Sequence, residues 1–434
     1  MKTLFKSIIA FLLGLCARVV IRRYAPRIVM VTGSVGKTST KDAVAAVLAA
    51  RFFVRKSEKS FNSEFGVPFT ILGVQNPWDN PFAWLSVAKS ALALIFLPNH
   101  YPNMLVLETG ADKPGDLAKI LKIATPDMVV VTRLPEVPVH VEAYASPEEV
   151  REEEFSPAYA LAAAAPLIIP SDDAYVFDCT KRTAARCISY GATEDANVRI
   201  THADFYIVDG KVVGMKALVS VNGEQLPLIV KGSVGKTQIL PGAAALASAV
   251  AYDITPTDAL EALEAYEPPP GRGRLIDGKN NSVIIDDSYN SSPAAVEEAL
   301  ETLKKFPMIA RGAQATSAAG RRIAVLGDML ELGRYSVIEH ERIATLVSAS
   351  ADVIVAVGIR ARVFLTKAKN VQVMQFDNSH AAAEVLPAFV QEGDVILVKG
   401  SQSIRTERVV EALLAHDNDV TKLVRQEKKW RQRG

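Results

Sequence analysis

Cysteine is scarce in this chain: Cys16, Cys179 and Cys187 are the whole complement, in no CxxC pairing. Neither a four-cysteine zinc site nor a disulfide framework can be assembled from them, so the thiols read as reduced. Charge of one sign is lacking as well. Lys and Arg number 49 against 48 Asp and Glu, a net +1, which excludes the global basic field that draws a protein to nucleic acid. No apolar run approaches the ~20 residues needed to span a bilayer; the one at the amino terminus ends after Ile8 to Cys16. Low-complexity tracts are absent too, the nearest being the small-residue stretch from Ala310 to Gly320, which reads as a surface loop.

What is present is a chain of 434 residues, 49% of them apolar, too long for one ordinary core and suited to two or three domains. From Arg27 onward, apolar strands alternate with helical stretches, as in a doubly wound parallel sheet. Strands are expected at Arg27 to Val31, Met104 to Leu107 and Met128 to Thr132, and helices at Thr38 to Arg51 and Pro114 to Ile123. Val198 to Val230 changes to β-branched alternation broken at Asp209-Gly210 and Asn222-Gly223, hairpin signals that predict a small antiparallel subsheet. Helix returns at Pro241 to Ala251 and Pro256 to Ala265. Pro268-Pro269-Pro270-Gly271 then breaks regular structure, and the domain boundary is expected there. A second, Rossmann-like α/β domain over 271–420 follows, with strands at Ser282 to Asp286, Arg322 to Leu326, Val353 to Val357, Val371 to Phe376 and Val395 to Val398. The basic tail 421–434 reads as a solvated terminal helix.

The first motif is Thr32-Gly33-Ser34-Val35-Gly36-Lys37-Thr38-Ser39, between a strand and a helix. Two glycines let backbone N–H groups face an anion, the helix amino terminus adds partial positive charge, Lys37 reaches the outer phosphates, and Thr38 is placed to ligate Mg²⁺. Gly33 to Ser39 thus form the expected ATP-phosphate site. The letters GSVGKT recur at Gly232 to Thr237, but Pro241-Gly242 follows, so no helix is expected to begin at Thr237 and this copy reads as structural.

Glu108 and His140 follow strand exits, where an open parallel sheet places its ligand crevice. Together with Thr38 they are candidate Mg²⁺ ligands, phosphate and water supplying further oxygens. Beyond the proline break, Asp286-Asp287-Ser288-Tyr289-Asn290 runs off a buried strand, and Leu326-Gly327-Asp328-Met329 repeats the arrangement. Acids and an Asn at a strand exit suit a base or ribose.

The amino terminus sets Lys2, Lys6, Arg18, Arg22 and Arg23 around the apolar run, with no cleavage pattern before the nucleotide loop. Secretion would part that loop from ATP, so a cytoplasmic protein is expected. Residues 1–23 read either as an interfacial helix at the inner face of the membrane or as one packed on the protein's own surface.

VTGSVGKTSTKD at 31–42, SFNSEFGVPFTIL at 60–72, LETGADKPGD at 107–116, GRGRLIDG at 271–278, IIDDSYNSSPAAVEEAL at 284–300, VLGDMLELG at 325–333 and VKGSQSIRTERVVEALL at 398–414 together resemble the Mur ligases. The resemblance covers nearly all of the chain after residue 27. It implies a central ATP-binding domain over 27–267 and a carboxy-terminal domain over 271–420. It further implies ATP-dependent activation of a muramoyl-peptide-like carboxylate as an acyl phosphate, then attack by D-alanyl-D-alanine or a related amine, in peptidoglycan precursor synthesis. By resemblance Lys37 and Thr38 would hold phosphate and Mg²⁺, with Glu108 and His140 as metal ligands. Asn290 would contact adenine, Asp328 the ribose, and Asn62 the substrate, while Ser401 and Arg405 would meet the amine.

Three departures accompany it. Only residues 1–26 precede the first strand, where the family has a UDP-sugar domain. Glu154 stands where many members carry a lysine, often carbamylated; it could supply that anion near the metal or belong to a solvated helix face. The family's His-Asn pair ahead of the central-domain helix is absent, with Thr237, Gln238 and Pro241 standing in that neighbourhood. A ligase of the same superfamily with another substrate, or an ATP-binding scaffold on the membrane that has lost ligation, is the alternative reading.

Overall fold

The computed structural model describes residues 2–58, 61–78, 80–308 and 320–431; the stretch expected as a surface loop lies, Gly320 apart, outside them. Two sheets organise the chain. The first holds β1 (Arg27–Thr32), β2 (Val54–Lys56), β3 (Met104–Glu108), β4 (Met128–Val131), β5 (Pro166–Pro170), β6 (Arg186–Gly191), β7 (Val198–Val208), β8 (Lys211–Val221) and β9 (Glu224–Lys231), in spatial order β2-β3-β1-β4-β5-β6-β7-β8-β9. β1 through β7 pair in parallel; β1, β3, β4 and β5, at the middle of the sheet, are buried along nearly their whole length, which is why they read as unbroken apolar runs.

Val31 pairs with Glu108 and Thr32 with Val131, so the carboxyl ends of β1, β3 and β4 lie level. That places three loops on one rim. β7, β8 and β9 are antiparallel, turned at Asp209-Gly210 and Asn222-Gly223, all four at positive φ as type I′ turns require. Rather than standing apart, they continue the parallel sheet through Tyr190 beside Val198.

The second sheet consists of β10 (Arg274–Asp277), β11 (Val283–Asp287), β12 (Arg322–Gly327), β13 (Val353–Val357), β14 (Gln372–Phe376) and β15 (Val395–Lys399), in order β10-β11-β15-β12-β13-β14. Only β10 is antiparallel. The proline break, 267–271, lies between the last helix on the first sheet, Pro256–Glu264, and β10.

One expectation fails at the repeated loop: a helix does begin there, Lys236–Ala251, with Pro241 inside it. Proline at the sixth helical residue removes a single bond, to the Thr237 carbonyl. Burial offsets that loss, because Ile239 and the alanine-rich face Ala243 to Ala249 pack against the helix Lys37–Leu48, whose Ala43, Val44 and Val47 are also buried. Small side chains let the two helices approach closely, and each buried Val or Ile contributes roughly 1.5–3 kcal/mol. The tail also departs from a solvated helix: Arg425 is buried, and its guanidinium donates to the Ser288 and Tyr289 carbonyls and to Glu407.

Candidate active site

The loop after β1 turns at Gly33 and Gly36, both at positive φ. A Cβ on Gly33 would fall 2.3 Å from Thr132 Oγ1, so only glycine fits. Gly36 is the residue from which the helix Lys37–Leu48 springs, leaving its first backbone N–H groups facing the loop. The Lys37 ammonium folds back to donate to the Gly33 carbonyl and stands 3.5 Å from Glu154 Oε1.

Glu154 is itself buried. Its Oε2 accepts from Thr32 Oγ1 at 3.1 Å and from the Gly33 N–H at 3.2 Å. Its carboxylate therefore braces the loop from behind, and the solvated-face reading of this residue does not hold.

Thr38 Oγ1 donates to Glu108 Oε1 at 3.1 Å. Glu108 is almost fully buried at the end of β3, and burial pushes its carboxyl up from the ordinary range against the pull of Lys41, Lys37 and Arg272. Its Oε2 has no hydrogen-bond partner among the described residues; the buried Lys41 ammonium is 3.7 Å away, a charge neighbour beyond bonding reach. An orphaned buried oxygen beside a threonine hydroxyl is a donor set that fits a hard divalent cation.

His140 sits in the left-handed region, φ 66°. Its Nε2 faces Asp112 Oδ1 at 3.5 Å and its Nδ1 faces Glu331 Oε2 at 3.1 Å. Burial lowers the imidazole's proton affinity, but the Glu331 bond and the two carboxylate charges prevail and hold it above the usual histidine value. Both ring nitrogens are thus turned to carboxylates, and ligation of a metal would require one of them to be released.

Lys37, Thr38, Glu108 and His140 line one cleft of about 630 Å³ with Ser34, Gly36, Asn62 and, from the second sheet, Asn290, Ser401 and Arg405. Asn62 and Lys37 lie together over Gly110, where a Cβ would meet Asn62 Nδ2 and Lys37 Cε, each at 3.2 Å. Ser401 Oγ accepts from the Leu330 N–H at 2.8 Å, and Arg405 is tied to Glu407 and to the Trp430 carbonyl. Trp430, from the tail, lines the same cleft.

Asp328, the residue expected at the ribose, is engaged beneath a neighbouring strand exit. Its carboxylate accepts from the Ala361 N–H at 2.8 Å beneath the β13 exit, and it does not line the cleft. A small recess next to Gly36 is lined instead by Ser39, Thr237, Gln238, Arg272, Asp287 and Lys399. Gln238 Oε1 is buried there without a partner among the described residues. Lys399 bridges Asp287 Oδ2 at 2.7 Å and the Asn290 carbonyl at 3.0 Å.

The sequence pointed to Asp287, as one of two acids suited to a base or ribose, but assigned no role to Arg272, Gln238 or Lys399. Arg272, a cation between glycines straight after the prolines, was the available signal. Gln238 was hidden by the inference that Pro241 forbids a helix.

Comparison with known proteins follows the same outline. The Mur ligase middle domain model matches residues 31–249, and the Mur ligase glutamate ligase domain model matches 271–402. The UDP-N-acetylmuramoyl-tripeptide–D-alanyl-D-alanine ligase of Bacillus subtilis is 25% identical over 414 residues, covering 92% of this chain and 78% of that protein. The protein of the same name from Synechocystis is 26% identical over 400 residues, covering 91% and 76%. Among solved structures, the MurF ligase of Thermotoga maritima in complex with ADP superposes with a TM-score of 0.74 at 25% identity, covering 93% of this chain and 83% of that one.

Proposed function

This chain belongs to the Mur ligase family, and from that premise we propose that it is an ATP-dependent ligase joining D-alanyl-D-alanine, or a closely related amine, to a muramoyl-peptide-like carboxylate. The observation that carries the reading is the single cleft that gathers the phosphate loop, Glu108 and His140 from one sheet and Asn290, Ser401 and Arg405 from the other. Such a cleft brings a phosphate loop, a carboxylate and cationic side chains from both sheets to one place.

In the first step a carboxylate oxygen of the substrate attacks the γ-phosphorus of ATP, and ADP leaves. In the second the amine nitrogen attacks the acyl carbon, inorganic phosphate leaves, and the nitrogen loses a proton. The loop N–H groups and Lys37 neutralise the oxygens of the transferring phosphoryl group, a task of positioning and charge rather than covalent catalysis. Thr38 and Glu108 would hold Mg²⁺, with His140 joining once freed from Glu331; the ion would supply further charge neutralisation on the phosphates. Glu154 acts as a positioning residue, its oxygens given to Thr32, Gly33 and Lys37.

Gln238, whose Oε1 in the recess beside Gly36 has no partner among the described residues, is better set for the base or ribose than Asp287, whose Oδ2 is paired with Lys399, or Asp328, whose Oδ1 accepts from the Ala361 N–H. Asn290 borders the adjoining cleft. Ser401 and Arg405 face the amine side, Arg405 supplying a cation for a carboxylate terminus. Dependence on ATP places this work in the cytoplasm.

The test is ADP release by the full chain, with a UDP-linked muramoyl tripeptide and D-alanyl-D-alanine offered singly and together. Turnover that needs both supports ligation. ATP binding without turnover under any pairing overturns it.

A further inference from the structure

Two helices of the first sheet's outer layer leave apolar side chains in solvent. The helix Lys2–Tyr24 buries Leu13, Ala17 and Val20, and the helix Ala83–Phe96 buries Val87, Ala91 and Leu94, all six in one hydrophobic cluster. They lie side by side and run the same way. Lys6 stands over the Trp78 ring at 5.6 Å near their starts, and at their ends Tyr24 Oη donates to the Leu94 carbonyl at 3.0 Å and Arg23 to that of Leu97 at 3.1 Å.

Because both pack inward on the same cluster, their opposite stripes face outward on the same side of the molecule. On the first helix that stripe carries Phe5, Ile8, Phe11, Leu12 and Leu15, from 43% to 64% exposed; on the second it carries Leu85, Leu92 and Phe96, from 55% to 71%. Scattered apolar residues on a surface need no explanation, but two adjacent stripes of large ones do.

Charge identifies what covers them. From Met1 to Arg27 and from Pro81 to Tyr101 the sequence has no Asp or Glu. Lys6, Arg22, Arg23 and Lys89 are exposed on or beside the stripes. Apolar side chains edged by cations and free of carboxylates complement a surface that is greasy within and anionic at its face. A second copy of the chain fits poorly, since two-fold pairing sets the same patch against itself, cation against cation. Among the described residues no helix is long and apolar enough to cross a membrane, so the face lies on a bilayer rather than through it.

We propose that the helices Lys2–Tyr24 and Ala83–Phe96 form one two-helix platform that seats the protein on an anionic lipid surface. Nothing in the inference depends on which substrates the cleft takes. The basic first helix alone is half of the device. The second widens the apolar face and adds Lys89, whose stem can lie along the lipid while its ammonium reaches the headgroups.

The experiment is co-sedimentation of the full chain with vesicles of phosphatidylcholine alone or mixed with phosphatidylglycerol. Three proteins are compared: the unmodified chain, Phe11→Glu, and Leu85→Glu with Leu92→Glu. All three substituted positions are exposed, so melting temperature and ADP release with soluble substrates are expected to stay unchanged, which separates loss of binding from loss of fold. Binding to mixed vesicles is expected to fall by about tenfold or more for each variant, and to weaken with added salt. Wild-type binding by the second-helix variant overturns the platform, as does equal binding to neutral vesicles. Sedimentation showing a dimer without lipid, abolished by the same substitutions, would assign the face to a second copy instead.

Discussion

Lys37 and Glu154, 117 positions apart in sequence, stand 3.5 Å apart beneath the phosphate loop. The acid also accepts the Gly33 N–H and the Thr32 hydroxyl, so one buried carboxylate sets both the loop and its lysine. Removing it strands the Gly33 N–H and leaves the Lys37 ammonium without its counter-charge, while Thr32 keeps the Glu154 main-chain carbonyl.

Glu154→Ala is therefore expected to cost about 2–4 kcal/mol of stability, as loss of a buried charged acceptor does, and to lower kcat by roughly a hundredfold through a misplaced lysine. Glu154→Gln keeps the acceptor to Gly33 and should recover most of the stability with less of the rate. Melting curves and ADP-release kinetics decide it. An alanine variant with wild-type kcat would deny Glu154 any part in positioning.

Thr38 and Glu108 meet as hydroxyl and carboxylate with one carboxylate oxygen unclaimed. Thr38→Ala should raise the Mg²⁺ concentration for half-maximal ADP release by about 10- to 100-fold, the range for losing a metal-orienting group. Titration of the metal at saturating ATP reads this directly; an unshifted midpoint would take Thr38 out of the metal site.

The recess beside Gly36 and the buried Asp328 make opposite predictions for nucleotide binding. Gln238→Leu should raise the KM for ATP by about tenfold, the effect of one lost hydrogen bond to a base. Asp328→Ala should leave that KM alone while lowering the melting temperature, because its partner is the Ala361 N–H. A reversed pattern would return the ribose to Asp328.

Asp286 is wholly buried at the end of β11, and burial pushes its carboxyl up to about 6, the Ser288 hydrogen bonds only partly opposing. Its folded value thus lies above the 3.8 of the free acid. Between these values the native state holds the proton more tightly than the unfolded chain, so stability falls as pH rises from about 4 to about 6. The loss is at most roughly 3 kcal/mol at 1.36 kcal/mol per unit. Asp286→Asn should flatten that segment, melting higher than the unmodified protein above pH ~7 and not below pH ~4. Parallel pH profiles for the two proteins would refute the assignment.

Much of this architecture was legible one residue at a time. β13 was expected at its observed bounds, Val353–Val357, because a strand buried on both faces must be apolar throughout. The hairpins at Asp209-Gly210 and Asn222-Gly223 were legible because few residue pairs tolerate consecutive positive φ. The helix start at Lys236 was not, since the proline rule is local and the alanine-rich packing that overrides it is not.

Local chemistry in the sequence determined the phosphate loop, the buried strands and hairpin turns, and the amphiphilic character of residues 1–23. Tertiary structure alone decided that Glu154 braces Lys37, that Asp328 turns to its own sheet while Gln238 and Asp287 take the recess, and that a second apolar helix lies beside the first. The division is physical. Backbone conformation and side-chain period are set by neighbours along the chain, whereas the partner of a buried charge, or the cover of an exposed stripe, is set by which distant segments the sheets bring within a few ångströms.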